Sequence, residues 1–216
     1  MIRLSLLPPS SNYESKVRAP GAAFLRTRPA PLGTDWRGHE YWQEVHDDLY
    51  QGHCGICAYC ASWTPRRSSN PKDPNGTSID HFVPKSVAPL LAYEWTNFRL
   101  CRSRLNHRKG EFQDVLDPCV VSNAWFALNF RTFLIRATLG LPDATHHAVV
   151  ATIDRLGLNS DNDYVRERIE VLRSYALGSM SFDQLRAKYP FLAHQVENQD
   201  FDRLHLPRLR AYFRRR

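Results

Sequence analysis

The feature that most constrains this chain is a set of polar residues spread over 30 positions. The set consists of Asp80, His81, Asn97, Asn106 and Lys109, which follow one another at steps of 1, 16, 9 and 3 residues. Neighbouring side chains on a strand point to opposite faces, so the carboxylate can take a metal while the imidazole faces a water. A neutral imidazole can remove a proton from that water at pH 7. The pattern therefore predicts hydrolytic chemistry; the alternative is a surface loop with a capping aspartate and an incidental histidine.

The flanking sequence predicts the elements that carry these residues. Residues 79–83 form a short apolar segment ended by Pro84, which indicates a strand, and residues 93–100 are aromatic-rich and extended or turn-like. A short basic helix is expected over 102–109, with Gly110 as its stop. An asparagine on this helix offers a neutral oxygen, which suits Mg²⁺ or Mn²⁺ and leaves most coordination sites to water and phosphate. One such ion can stabilise the leaving oxygen in phosphodiester cleavage.

This order of residues resembles the HNH endonucleases, whose ββα-metal motif places its functional residues in the same sequence. The resemblance implies that His81 is the general base and that Asp80 and Asn106 hold the divalent cation. It also implies that Asn97 hydrogen-bonds the backbone around the first strand and keeps His81 oriented, and that Lys109 reaches the scissile region. The implied fold class is α+β, with a ββα-metal (HNH) motif embedded in a mostly helical protein.

A wider pattern is similar to the HNH proteins of bacterial anti-phage defence, including the nuclease subunit of the Septu system. The pattern is CAYC, DHFVPKS, YEW-x-N and N-x-x-K-G, with TIDRLGLN at 152–159 as a looser match. The likeness covers residues 54–112 well and 150–168 loosely. It implies an endonuclease that acts on DNA, a role in defence, and a partner subunit such as an ATPase that holds the nuclease inactive.

Three of the five cysteines fall within seven residues, which suggests a second metal site. Many HNH proteins bind a structural zinc ion through two CxxC pairs, but here only CAYC supplies a pair. A four-ligand zinc site could still be assembled from Cys54, Cys57, Cys60 and Cys101. His53 could replace the last of them. Buried reduced thiols are the alternative, and the odd number of cysteines argues against a disulfide scaffold.

Cations cluster around the predicted metal ligand. Residues 99–110 contain no acidic residue and five cations, which are Arg99, Arg102, Arg104, Arg108 and Lys109. A phosphate backbone must lie beside the metal, so the four arginines are predicted to bind nucleic acid. His107 is a candidate second ligand or phosphate contact. A solvated helix face is the alternative, although such faces usually mix charges of both signs.

Composition agrees with a globular protein that binds a polyanion. The 216 residues include 29 Lys and Arg against 22 Asp and Glu, a net charge of +7, and 24 of the cations are arginines. Arginine binds phosphate bidentately, although a GC-rich genome would also enrich it. A hydrophobic content of 43% excludes a wholly disordered chain. The apolar runs are too short for a membrane span or a secretory signal, so a cytoplasmic protein is expected.

Three regions are predicted along the chain. Residues 1–52 contain a proline-rich extended arm over 1–34 and a helix over 35–50, and residues 53–118 form the nuclease core with a turn-rich loop over 64–77. The buried face of the helix is expected to comprise Trp42, Val45, His46 and Leu49.

The third region, residues 119–216, is predicted to be mainly helical. A hairpin or a helix is expected over 125–137. Helices are expected over 144–156, 161–177 and 181–188. The stretch 203–216 carries six arginines and no acid. It could bind nucleic acid or a partner protein, or it could be a disordered tail.

Two other functions fit parts of the sequence. The first is a non-catalytic nucleic-acid-binding module that uses a cysteine knuckle and the arginines. The second is a redox or iron–sulfur protein that uses Cys54, Cys57 and Cys60, although the fourth cysteine and the proline of a ferredoxin-type motif are missing nearby.

Overall fold

The computed structural model of the chain describes residues 1–66 and 76–214. Over these residues the chain combines α-helices with two small antiparallel sheets, which agrees with the predicted α+β class. Most of the loop predicted over 64–77 lies outside the described residues. None of the described helices is long and apolar enough to cross a membrane.

The chain divides into two compact units. The first, here called the site unit, comprises Leu4–Ala58 and Thr64–Gln113. The second, here called the helical unit, comprises Met1–Arg3, Tyr59–Trp63 and Asp114–Arg216.

The site unit contains a two-stranded antiparallel sheet and short helices. Its main elements are α1 (Ala19–Thr27), α2 (His46–Gly52), β1 (Thr77–His81), β2 (Phe98–Arg102) and α3 (Ser103–Lys109). Short 3₁₀ helices lie at Gly33–Trp36, Tyr41–Val45, Pro89–Leu91 and Trp95–Asn97. In the sheet, Asp80 pairs with Arg99 and His81 pairs with Phe98. β1 thus ends at His81, two residues before the predicted end of the strand.

The N-terminal segment is not the extended arm predicted from its prolines. Glu14–Arg18 forms a π-helical turn that continues into α1. Pro20 is the second residue of α1, directly after the π-helical turn. Leu25 is buried, and Gly21 packs against the ring of Tyr93. The prolines were therefore compatible with a helix that buries one face.

The single helix predicted over 35–50 is also wrong, because three short elements replace it. They are the 3₁₀ helices Gly33–Trp36 and Tyr41–Val45, followed by α2. Gly38 has a φ of +81°, a left-handed conformation that an α-helix does not continue through. The predicted face is nevertheless confirmed, since the structure buries Trp42, Val45, His46 and Leu49.

The third element of the predicted motif is confirmed. α3 begins at Ser103, one residue after the predicted start, and Gly110 follows it with a φ of +51°. An aromatic-rich core packs beneath these elements and includes Tyr13, Trp36, Trp42, Tyr93, Trp95 and Phe98.

The helical unit contains the hairpin and the helices predicted for the C-terminal region. Its elements are β3 (Phe126–Leu128), β4 (Ile135–Ala137), α4 (Asp143–Leu156), α5 (Asn162–Ala176), α6 (Phe182–Lys188), α7 (Pro190–Asn198), α8 (Phe201–Leu204) and α9 (Leu206–Arg214). The side chains of Asp161 and Ser181 cap α5 and α6. Asn159, at the end of the TIDRLGLN stretch, bonds both backbone groups of Ile135. That stretch thus fixes the hairpin against the helices, and α9 is a helix rather than a disordered tail.

Candidate active site

A cavity of about 260 Å³ lies within the site unit, bordered by β1, the turn that follows it and α3. Its lining includes Trp42, Asp80, His81, Lys85, Asn106 and Glu111. Three of the predicted site residues, the proposed base and both metal ligands, are therefore brought to one cavity. Asn106 lies 25 residues after His81 in the sequence, so the pairing of β1 with β2 and the packing of α3 create the site.

His81 is held in one orientation and one tautomer. Its Nε2 lies 2.8 Å from the carbonyl oxygen of Ala92. A carbonyl can only accept, so Nε2 carries the proton and Nδ1 has the free lone pair. The ring also makes edge-to-face contacts with Trp42 and Phe98, at centroid distances of 4.7 and 5.5 Å. A fixed imidazole with a free lone pair is what a general base requires.

Burial also sets the charge of His81. Loss of solvent lowers the pKa of His81 from 6.5 to about 4; the bond to Ala92 opposes this shift, and the nearby cations Lys85 and Lys109 add to it. The ring is therefore neutral at pH 7. A base of such low pKa is unprotonated at pH 7 but is weaker than one with a pKa near 7.

Asp80 and Lys109 form a buried ion pair beneath the cavity. The Lys109 Nζ lies 3.1 Å from Asp80 Oδ1 and 2.9 Å from the carbonyl oxygen of His81. Lys109 is only 1% exposed and does not line the cavity. The resemblance implies that Lys109 reaches the scissile region, but the structure does not bring Lys109 to the cavity: the ammonium neutralises Asp80 inside the protein.

Asn106 is anchored on β1 through its amide nitrogen. Nδ2 donates to the hydroxyl of Ser78 and to the carbonyl of Ile79, both at 3.1 Å. With Nδ2 committed in this way, the carbonyl oxygen Oδ1 is the atom that Asn106 can offer to a ligand in the cavity.

Asn97 ties together the two ends of the segment that connects β1 with β2. Its Oδ1 accepts from Val83 N at 2.8 Å, and its Nδ2 donates to the carbonyls of Val83 and Leu91 at 3.0 and 3.1 Å. Leu91 immediately precedes Ala92, whose carbonyl holds His81. Asn97 is therefore a positioning residue that acts through backbone.

Arg99 is not available to bind phosphate, contrary to the sequence-based expectation. It is 2% exposed, and its Nη1 donates to the carbonyls of Thr96 and Phe98 at 2.7 and 2.9 Å. Its position opposite Asp80 in the sheet turns its guanidinium inward. Arg102 is half-buried and donates from Nε to Thr64 Oγ1 at 2.9 Å.

The other basic residues of α3 are closer to solvent. Arg104 and Arg108 are half-buried and one helical turn apart, and they remain predicted phosphate contacts. His107 is exposed and does not line the cavity, so the structure does not place it as a second ligand.

The cysteines are not gathered as the zinc prediction requires. The five cysteines form no disulfide among the described residues: Cys57 and Cys101 are buried in the site unit, Cys54 is exposed, and Cys60 and Cys119 belong to the helical unit. Cys57 Sγ accepts from Arg102 N at 3.3 Å. Among the described residues, no group of three or more His, Cys, Asp or Glu side chains could hold a metal ion. The predicted set Cys54, Cys57, Cys60 and Cys101 is therefore not assembled into a site.

The oxygen donors of the cavity fit a hydrated hard cation better than zinc. Asp80 supplies a carboxylate, Asn106 an amide oxygen, and Glu111 a second carboxylate at the rim. Mg²⁺ is usually held through one or two carboxylates and keeps several waters, so a sparse set of this kind suits it.

Two lining residues were missed by the sequence analysis. Lys85 lies within the DHFVPKS stretch but carries no predicted role, and Glu111 directly follows Gly110, the last residue of the N-x-x-K-G stretch. Their proximity to the site residues was the available signal.

Comparison with known proteins does not assign this chain to a family. The chain matches no model of a protein family, and no curated protein shows significant similarity to it. Function must therefore be argued from the site itself.

Proposed function

We propose that this protein is a divalent-metal-dependent endonuclease of the HNH type that hydrolyses phosphodiester bonds, with DNA as the favoured substrate. The observation that carries the proposal is a neutral, oriented His81 in the same cavity as the oxygen donors of Asp80 and Asn106. A role in anti-phage defence with an ATPase partner belongs to the proposal on the strength of the sequence resemblance alone.

Each residue of the site has a distinct role in the proposed hydrolysis. His81 takes a proton from the attacking water on Nδ1, while its Nε2–H stays bonded to Ala92. Asp80 and Asn106 would hold Mg²⁺ or Mn²⁺; when bound, such an ion stabilises the charge that develops on the leaving oxygen. Lys109 fixes the carboxylate of Asp80 and the backbone of His81, so both residues keep their places as charge moves.

Nicking of supercoiled plasmid tests the chemistry. Wild type, His81→Ala and His107→Ala should be compared in Mg²⁺, in Mn²⁺ and in EDTA. His107 is a matched control because it is an exposed histidine on α3 outside the cavity. Nicking should require the metal and disappear only in His81→Ala. A His81→Ala protein that nicks as fast as wild type would refute the mechanism. A parallel RNA substrate tests the preference for DNA.

Metal binding tests the same site without requiring cleavage or a partner. Titration of Mn²⁺ followed by electron paramagnetic resonance should show binding to wild type and weaker binding to Asn106→Ala, with unchanged thermal midpoints. A wild-type protein that neither binds Mn²⁺ nor nicks DNA would overturn the proposal. DNA binding that survives EDTA, with no cleavage in any divalent ion, would favour the non-catalytic binding module.

A further inference from the structure

Lys85 lies where two adjoining cavities of the site unit meet. The cavity of about 260 Å³ that contains His81 and a second cavity of about 420 Å³ share Trp42, Lys85, Ser86 and Glu111 in their linings. The second cavity is a groove that extends past Trp36 to Leu32, which is 75% exposed. A chain molecule that occupied both cavities would have to pass Lys85.

The ammonium of Lys85 is held in place by aromatic rings. Its Nζ lies 5.4 Å from the ring centroid of Trp42 and 5.7 Å from that of Trp36, within the range of cation–π attraction. Both indoles are buried and therefore rigid. Within the described part of the chain, Lys85 forms no ion pair. The structure thus presents an oriented positive charge that no carboxylate of the described residues neutralises.

The charges around the first cavity also favour Lys85 as a phosphate contact. Lys85 is the only Lys or Arg among the described residues of its lining, and the other charged lining residues are Asp80 and Glu111. Because Lys109 offsets the charge of Asp80, Lys85 and Glu111 are the charged lining residues that no described ion pair neutralises. The cations predicted to serve here, Arg99 and Lys109, are instead committed to partners in the interior.

We infer that Lys85 binds a phosphate of the nucleic-acid strand as the strand passes from the cavity of His81 into the groove beside Trp36. This inference rests on the proposed function, because it takes that cavity to be the place where a phosphodiester is cut. It assigns to Lys85 the phosphate contact that the sequence suggested for Arg99.

Equilibrium binding in EDTA tests the inference without any cleavage. The affinity for a fluorescein-labelled DNA duplex is measured by anisotropy between 50 and 200 mM KCl for wild type, Lys85→Gln, Lys85→Arg and Lys16→Gln. Lys16 is an exposed lysine that lines neither cavity. Loss of one phosphate contact should reduce the slope of log K against log [KCl] by about 1. We expect that reduction, with weaker binding, in Lys85→Gln only, and a slope close to wild type in Lys85→Arg.

The outcomes separate the two claims. If Lys85→Gln lowers the slope and wild type nicks no plasmid in any metal, the phosphate contact stands and the proposed cleavage fails. If wild type nicks plasmid and Lys85→Gln retains the affinity, the slope and the nicking rate, the nuclease stands and the inference fails. A wild-type protein that does not bind DNA also refutes it. Equal thermal midpoints for Lys85→Gln and Lys85→Arg show that unfolding is not the cause.

Discussion

Lys109 and Asp80 form an ion pair inside the protein, with Nζ 3.1 Å from Oδ1 and side chains 1% and 3% exposed. The same ammonium donates to the carbonyl of His81. One buried cation therefore fixes both members of the aspartate–histidine pair. A buried pair of this kind adds little net stability, but removing one partner leaves a charge stranded in the interior.

Lys109→Met should lower the free energy of unfolding by about 3–5 kcal/mol, because the Asp80 carboxylate would remain buried without its partner. Urea denaturation measures the change. Lys16→Met, at an exposed lysine, should stay within about 0.5 kcal/mol of wild type. Adding Asp80→Asn to Lys109→Met should recover part of the loss. Similar losses for Lys109→Met and Lys16→Met would contradict the buried pair.

The stability of the protein should fall as the pH drops from about 6.5 to 4. Burial lowers the pKa of His81 to about 4 against 6.5 in the unfolded chain, so the unfolded state binds the extra proton in this window. The contribution of His81 is complete above pH 6.5. Relative to His81→Gln, wild type should lose about 3 kcal/mol between pH 7 and pH 4. Chemical denaturation at several pH values measures this difference, and profiles that run parallel for the two proteins would disprove it.

Asn97→Ala should cost about 3 kcal/mol of stability, since it leaves backbone groups of Val83 and Leu91 without their partner. Plasmid nicking should fall as well, because the backbone next to Ala92, whose carbonyl holds His81, loses its hydrogen bond from Asn97. Asn198→Ala changes an exposed asparagine of α7 and should alter the free energy of unfolding by no more than about 0.5 kcal/mol. An Asn97→Ala protein as stable as Asn198→Ala would show that these bonds are dispensable.

Gly21→Ala should destabilise the site unit although alanine favours helices. An added Cβ at Gly21 would overlap the ring of Tyr93, and overpacking of this kind costs about 1–3 kcal/mol. Gly33→Ala is the matched control, because an added Cβ there meets no atom of the described residues within 4 Å. Thermal unfolding of the two variants measures the difference; a Gly21→Ala protein more stable than Gly33→Ala would mean that the ring of Tyr93 gives way easily.

Elements with local signals could be predicted from the sequence. α3 stops at Gly110, and Asp161 and Ser181 cap the helices that follow them. In each case, residues within one turn of the boundary determine it. Helix α1 was missed because the proline count outweighed the apolar spacing, and the single helix over 35–50 was wrong because Gly38 adopts a positive φ.

The roles of charged residues could not be predicted in the same way. Arg99 and Lys109 belong to a run of cations without acids, which favours an exposed basic face. Lys109 is bonded to Asp80 and to the carbonyl of His81, which lie 29 and 28 residues away, so no local pattern specifies its burial. The partners of Arg99, the carbonyls of Thr96 and Phe98, are local, but backbone carbonyls are present at every residue and therefore leave no signal in the sequence. Lys85 shows the converse, because two tryptophans distant in sequence set the position of its ammonium.

The bond that orients His81 comes from the peptide carbonyl of residue 92, not from a side chain. Every amino acid brings that carbonyl, so an alanine scan passes over the acceptor. The small side chain of Ala92 is fully buried, so a larger residue there would be selected against for its volume alone. No exchange of one amino acid for another therefore removes this acceptor. Replacing the peptide bond of this carbonyl by an ester would weaken the acceptor and show what the hydrogen bond contributes.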